Sequence, residues 1–128
     1  MFVPRGYTHG IVTSGGDLIF VSGQSGRDKG GVLVGPSDLV AQTRQALNNV
    51  RTVVEAGGGA CADIVRLGVQ VTDMAAYLGR SVELAVLFRA FFGERLPAMS
   101  LCEVVRFMDP AVAIEIDGIA VVATGGTT

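Results

Sequence analysis

An α+β domain, with its helices packed on one face of a mixed sheet, is predicted by three observations. Two runs alternate apolar and polar residues with a period of two, at 64–71 and 112–122. One long segment, 39–54, repeats apolar residues at three and four. The elements follow the order β-β-β-α-β-α-β-β, which puts two helices against one sheet rather than alternating helix and strand throughout.

The elements can be justified in turn. "GIVTSGGDLIFVSG" reads as a hairpin, with Ser14-Gly15-Gly16-Asp17 as its turn. "RDKGG" turns the chain again, and Val32 to Val34 makes a short third strand. Ser37 is the expected N-cap of the first helix, with Asp38 in its first turn. Leu39, Val40, Thr43, Leu47, Val50 and Val54 form its apolar stripe, and the glycines from Gly57 end it. In the fourth strand Val65, Leu67, Val69 and Val71 share one face. Thr72-Asp73 caps a second helix to about Phe92, apolar over much of its circumference, with Gly79 as a point of division. Pro97 opens the fifth strand, where Met99, Leu101, Glu103 and Val105 share a face opposite Ala98, Ser100, Cys102 and Val104. "MDP" turns the chain into the last strand, Val112 to Val122. Residues 124–128 are expected to be a frayed tail. Residues 1–128 form a single domain.

Composition sets the class. With 49% hydrophobic and only 17% charged residues, little polar surface remains to cover a small domain, which points to burial against other subunits. Two helices cannot cover both faces of the sheet, a second reason to expect an oligomer. Ten basic and twelve acidic residues without a Lys/Arg run give no support to nucleic-acid binding. Arg80, Glu83 and Arg89 interrupt the most apolar stretch, so no membrane span is expected. The amino-terminal residues have no long apolar run, and a cytoplasmic protein is the expectation. Cys61 and Cys102 form no disulfide framework and no cluster with metal-ligand spacing. Cys102 reads as a small buried hydrophobe.

Chemistry concentrates in few places. Glu115 and Asp117 share a face of the last strand, roughly 6–7 Å apart by the rise per residue. Carboxylates in an apolar strand either face solvent, pair with an arginine such as Arg66 or Arg106, or hold a water as a general base. His9 is the single histidine, which favours a structural role over a catalytic one. Ser22 ends a strand without opening a helix, so it lacks the setting of a hydrolase nucleophile.

Three segments in order resemble the Rid (reactive intermediate deaminase, or endoribonuclease L-PSP) family. They are "LIFVSGQSGRDKGG", "QTRQALNNVRTVVEAGGGACADIVRLGVQVTD" and "FRAFFGERLPAMSLCEVVRFMDPAVAIEIDGIAVV". The resemblance implies a chorismate-mutase-like fold, a homotrimer around a central barrel, and small-molecule clefts at the subunit interfaces. It implies hydrolysis of imines or enamines such as 2-aminoacrylate, with no cofactor and no metal. Carried over by position, Glu115 positions the attacking water, Tyr7 shapes the cleft, and Ser22 and Gly23 form a turn that completes it. The family's carboxylate-binding arginine does not carry over, because Met99 stands in its place. Leu101, two residues on, stands where a cysteine is frequent, and the family's asparagine in the second helix has no counterpart.

A desolvated carboxylate that loses its arginine partner costs several kcal/mol. The usual 2-imino acids are therefore expected to bind poorly unless Arg5, Arg27 or Arg106 supplies the charge. Two functions follow: an imine or enamine hydrolase with an unusual substrate, or a non-catalytic trimer that binds a metabolite or partner protein in the same cleft. A ribonuclease fits poorly with an acidic chain that has no basic patch.

Overall fold

The computed structural model describes residues 1–4 and 6–124. The elements are β1 (Asp17–Gln24), α1 (Leu39–Ala56), a 3-10 turn (Cys61–Asp63), β2 (Ile64–Val71), α2 (Met74–Gly79), α3 (Ser81–Phe92), β3 (Ala98–Glu103) and β4 (Ile114–Val122). The sheet runs β1-β4-β2-β3. Only β2 and β3 are parallel; both other pairs are antiparallel. The fold is α+β with a mixed sheet, as the patterning predicts. The parallel pair needs a long crossover, and α2 and α3 provide it.

The core forms where α1 lies on the sheet. Thr43, Ala46, Leu47, Val50 and Val54 of the helix are buried. They meet Leu67, Val69 and Val71 of β2 and Ile114, Ile116 and Ala120 of β4. The alternation read for β4 holds: Ile114, Ile116, Gly118 and Ala120 are buried, while Glu115, Asp117, Ile119 and Val121 face the other way and are half-buried. In β2 the alternation slips at its start. A bulge between Ile64 and Arg66 turns Ile64 into the core in place of Val65. Gln42, absent from the expected stripe, is fully buried. Its amide nitrogen donates to the carbonyls of Gly35 (3.1 Å) and Ala111 (3.3 Å). Its carbonyl accepts from the Ala113 N–H (2.9 Å).

Two expected strands are not formed. Residues 10–13 have no ladder partner among the described residues, and Val12 is 98% exposed. Gly15 and Gly16 do turn the chain, at φ of +68° and +84°. A run of three residues bounded by glycine makes too few ladder bonds to hold as a hairpin arm. Residues 32–34 reduce to one bridge, Arg27 to Leu33. There the Asp28 carboxylate accepts from the N–H groups of Gly30 and Val32, and this local turn replaces a ladder. The strand expected from Pro97 starts at Ala98 and ends at Glu103, so Val105 lies beyond it and is exposed. The expected tail lies outside the described residues except for Thr124.

The helix boundaries are set by caps. The second helix divides at Gly79 as the sequence indicates, and Asp73 caps α2 by accepting from the Ala76 N–H at 2.9 Å. For α1 the cap is Asp38, not Ser37: its carboxylate accepts from the Ala41 N–H at 3.0 Å. The Asp38 N–H donates to the Gly35 carbonyl, and that turn moves the helix start one residue on. Asp38→Ala is therefore expected to lower stability by about 1 kcal/mol, read as a fall in thermal midpoint by circular dichroism. Ser37→Ala is expected to leave the midpoint unchanged; an equal fall from both would contradict the cap assignment.

Candidate functional site

The sequence-selected residues form two groups on opposite faces of the sheet. The first lies on the helix side. Met99 and Leu101 of β3 pair with the core residues Leu67 and Val69 of β2, so both point toward the helices. Tyr7 is brought to them by its neighbour. Thr8 bridges Ala98, its hydroxyl donates to the Leu96 carbonyl at 2.6 Å, and its N–H donates to the Pro97 carbonyl at 3.3 Å. His9 braces Tyr7 edge-on at 5.8 Å between ring centroids. Its Nε2 hydrogen bonds the Phe2 carbonyl, which is a structural role. Tyr7, Met99 and Leu101 line a cleft of about 660 Å³ between α2–α3 and β3, floored by Leu84, Phe88 and Leu96.

The second group lies on the sheet's other face. Glu115 of β4 pairs with Gln70 of β2, next to Val69 and hence on the opposite side. The ladder between β1 and β4 is interrupted between Val21 and Gln24, so Ser22 and Gly23 form a bulge beside Glu115. Gly23 is required there, because a Cβ at this position would overlap the Glu115 carboxylate. Glu115 makes no hydrogen bond or ion pair among the described residues. Asp117 differs: it accepts from the Gln70 amide at 3.2 Å and lies against Gly68, where a Cβ would meet its carboxylate at 2.7 Å. Neither carboxylate pairs with an arginine among the described residues. The Arg66 guanidinium instead reaches the Leu67 carbonyl (3.3 Å) and the Ser100 hydroxyl (3.4 Å).

The arginines considered as substitutes for a cation at position 99 fare differently. Arg27 is held by Asp109 at 2.5 Å. The Ala111 N–H and then the Arg27 guanidinium keep the Asp109 carboxyl below the usual carboxylate range. Arg106 is exposed, in the turn after β3, and is absent from the cleft wall. Arg5 lies outside the described residues. Cys102 is exposed on the Glu115 side of the sheet, not buried as expected, because no helix lies over that face.

Four further cleft residues on one helical wall were not selected from the sequence. Tyr77, Ser81, Ala85 and Arg89 all line the cleft. Their four-residue spacing runs on through the break between α2 and α3 and is the signal that marks them as one wall. Burial pushes the Tyr77 phenol above its ordinary pKa, so it stays protonated and able to donate.

The fold is shared with known proteins. The endoribonuclease L-PSP model matches residues 3–122. The chain belongs to the endoribonuclease L-PSP, or Rid, family. It is 39% identical over 110 residues to the 2-iminobutanoate/2-iminopropanoate deaminase of Escherichia coli K12, covering 83% of this chain and 80% of that one. It is 37% identical over 106 residues to a RutC family protein of Haemophilus influenzae, with the same coverage of each. A Rid-family protein of Yersinia pestis, of unknown function, superposes with a TM-score of 0.83 at 31% identity, over 91% of this chain and 87% of that one. In this Rid chain Met99 therefore sits on a cleft wall and Glu115 on the reverse face.

Proposed function

We propose that this Rid-family chain hydrolyses the C–N bond of a small imine or enamine, in clefts formed between copies of itself. The observation that carries the reading is Glu115. Its carboxylate rests against Gly23 at a bulge, with no partner among the described residues, on the face that no helix covers. A carboxylate so placed is free to orient a water and accept its proton. The water oxygen bonds to the imine carbon as one water proton passes by way of Glu115 to nitrogen; the second, from the new hydroxyl, follows to nitrogen as the adduct collapses, and the C–N bond breaks to leave a carbonyl compound and ammonia. An enamine reaches the same path after its carbon is protonated.

The subunit arrangement has separate support. On the uncovered face Leu18 is 59% and Phe20 70% exposed, beside Ile119 and Val121 of β4. Apolar surface of this kind favours association. Because Tyr7 and Met99 lie on one face and Glu115 on the other, a complete site requires the Tyr7 half of one copy to meet the Glu115 half of the next. A homotrimer closes such head-to-tail contacts into a ring. With Met99 on the wall, β3 offers no cation, so the substrate is a non-canonical one whose recognition does not draw on a β3 arginine.

The test is ammonia release from a panel of acidic and neutral imines, with the mass in solution taken by light scattering. Turnover of at least one member by a trimer is expected. No turnover of any, with a ligand-induced rise in melting temperature, would favour a metabolite-binding trimer instead.

A further inference from the structure

Among the described residues the cleft has one charged side chain, and it is basic. Arg89 stands on the α3 wall, in line with Tyr77 and Ser81, and no carboxylate among the described residues lines the cleft. The ion pairs among the described residues are Arg27–Asp109 and Arg80–Glu83, so Arg89 is not neutralised by either. Its place in the last turn of α3 is favourable to a cation by itself, and that alone would explain an arginine there. The surroundings go further. Tyr7 and Tyr77 put two phenols into the same space, and the Tyr77 phenol is protonated. Below them the surface is hydrocarbon: Leu84 and Phe88 on the helix, Met99 and Leu101 on the strand. Arg89 and Ser81 are exposed, whereas Leu84, Phe88 and Leu96 are buried, so the charge lies at the mouth and the apolar surface at the depth.

We infer that Arg89 is the anion anchor of this cleft, and that its ligand is a small monocarboxylate with an apolar body. The guanidinium takes the carboxylate at the mouth, where its planar fork can donate two parallel hydrogen bonds. The hydrocarbon part packs inward between Met99 and Leu84. Met99 then has a positive role, as unbranched apolar surface that adapts to a chain. The anchor comes from helix α3, so the charged end and the apolar end of the ligand are ordered from mouth to floor. The inference takes the cleft of the proposed function as its site and rests on that reading for the fate of the ligand, not for its binding.

Hexanoate and hexanamide are matched probes, titrated calorimetrically into the full chain and into Arg89→Met and Arg89→Lys. Hexanoate is expected to bind about tenfold tighter than hexanamide, by a margin that narrows as salt is raised. In Arg89→Met the two are expected to bind alike, with hexanamide affinity unchanged; in Arg89→Lys part of the preference returns. Equal binding to the wild-type chain, a preference that survives in Arg89→Met, or no binding of either at millimolar concentration would each overturn the assignment. Because the readout is binding, a chain that prefers the acid yet turns over no imine would count against the hydrolase reading alone.

Discussion

Gln42→Leu is expected to destabilise the fold by about 3 kcal/mol, the largest loss from any single side chain outside the apolar core. The replacement is similar in volume and lies in a fully buried position, so the apolar packing changes little. What changes is hydrogen bonding. The Ala113 N–H loses its acceptor and the Ala111 carbonyl its donor, while the Gly35 carbonyl keeps the Asp38 N–H. Each buried group left unpaired costs about 1–3 kcal/mol. The loop is partly open to water, which places the sum toward the lower end. Urea unfolding followed by far-ultraviolet circular dichroism measures it, at one fixed protein concentration because subunit association would add to the apparent stability. A loss below about 1 kcal/mol would mean that water replaces the amide at little cost. The substitution also reaches the site. Ala113 is two residues before Glu115, and its N–H fixes where β4 begins.

Gln42 also shows what sequence can and cannot reveal. Periodicity exposes apolar faces, so the burial of Leu47, Val50 and Val54 in α1 and the alternation of β4 were legible. A glutamine on the same stripe reads as a polar interruption, because its three partners come from loops 7 and about 70 residues away. Turns were legible as glycine clusters, but whether an arm pairs depends on what lies beside it. Residues 10–13 have strand composition and no partner within the described chain. Residues 32–34 lose theirs to the side chain of Asp28. The site was legible in its residues more than in its geometry. Alternation placed Met99 with Leu101 and Glu115 with Asp117, each correct within its own strand. It gave no relation between strands, since that depends on the register of β3 and β4 against β2. That register sets the two groups back to back. Arg89 went unselected for a related reason: on a helix apolar nearly all round, its face becomes distinct only once β3 and Tyr7 are in place.

Glu115→Gln is expected to lower ammonia release by about 10²–10⁴-fold, the range for loss of a positioned general base. The amide has the same shape and can still hold a water, but it cannot take the proton. Its melting temperature is expected to stay close to that of the unaltered chain, since Glu115 makes no hydrogen bond among the described residues and its removal orphans no partner. Gly23→Ala should lower activity as well, by a different route: the added methyl occupies the space of the carboxylate. The decisive measurement uses two inactive variants together. Tyr7→Ala damages the helix-side half of the site and Glu115→Gln the other. If one cleft takes its two halves from adjacent subunits, co-folding the variants in equal amounts gives some clefts with both halves intact. With random assembly in a ring, each cleft draws one half from each of two neighbours, and about one cleft in four is whole. Activity should then return to about a quarter of the unaltered value, although neither variant is active alone. If a single subunit supplied both halves, every cleft would carry one defect and nothing would return. Recovery therefore separates a site shared between copies from a site within one, and it does so without knowledge of which imine is the natural substrate.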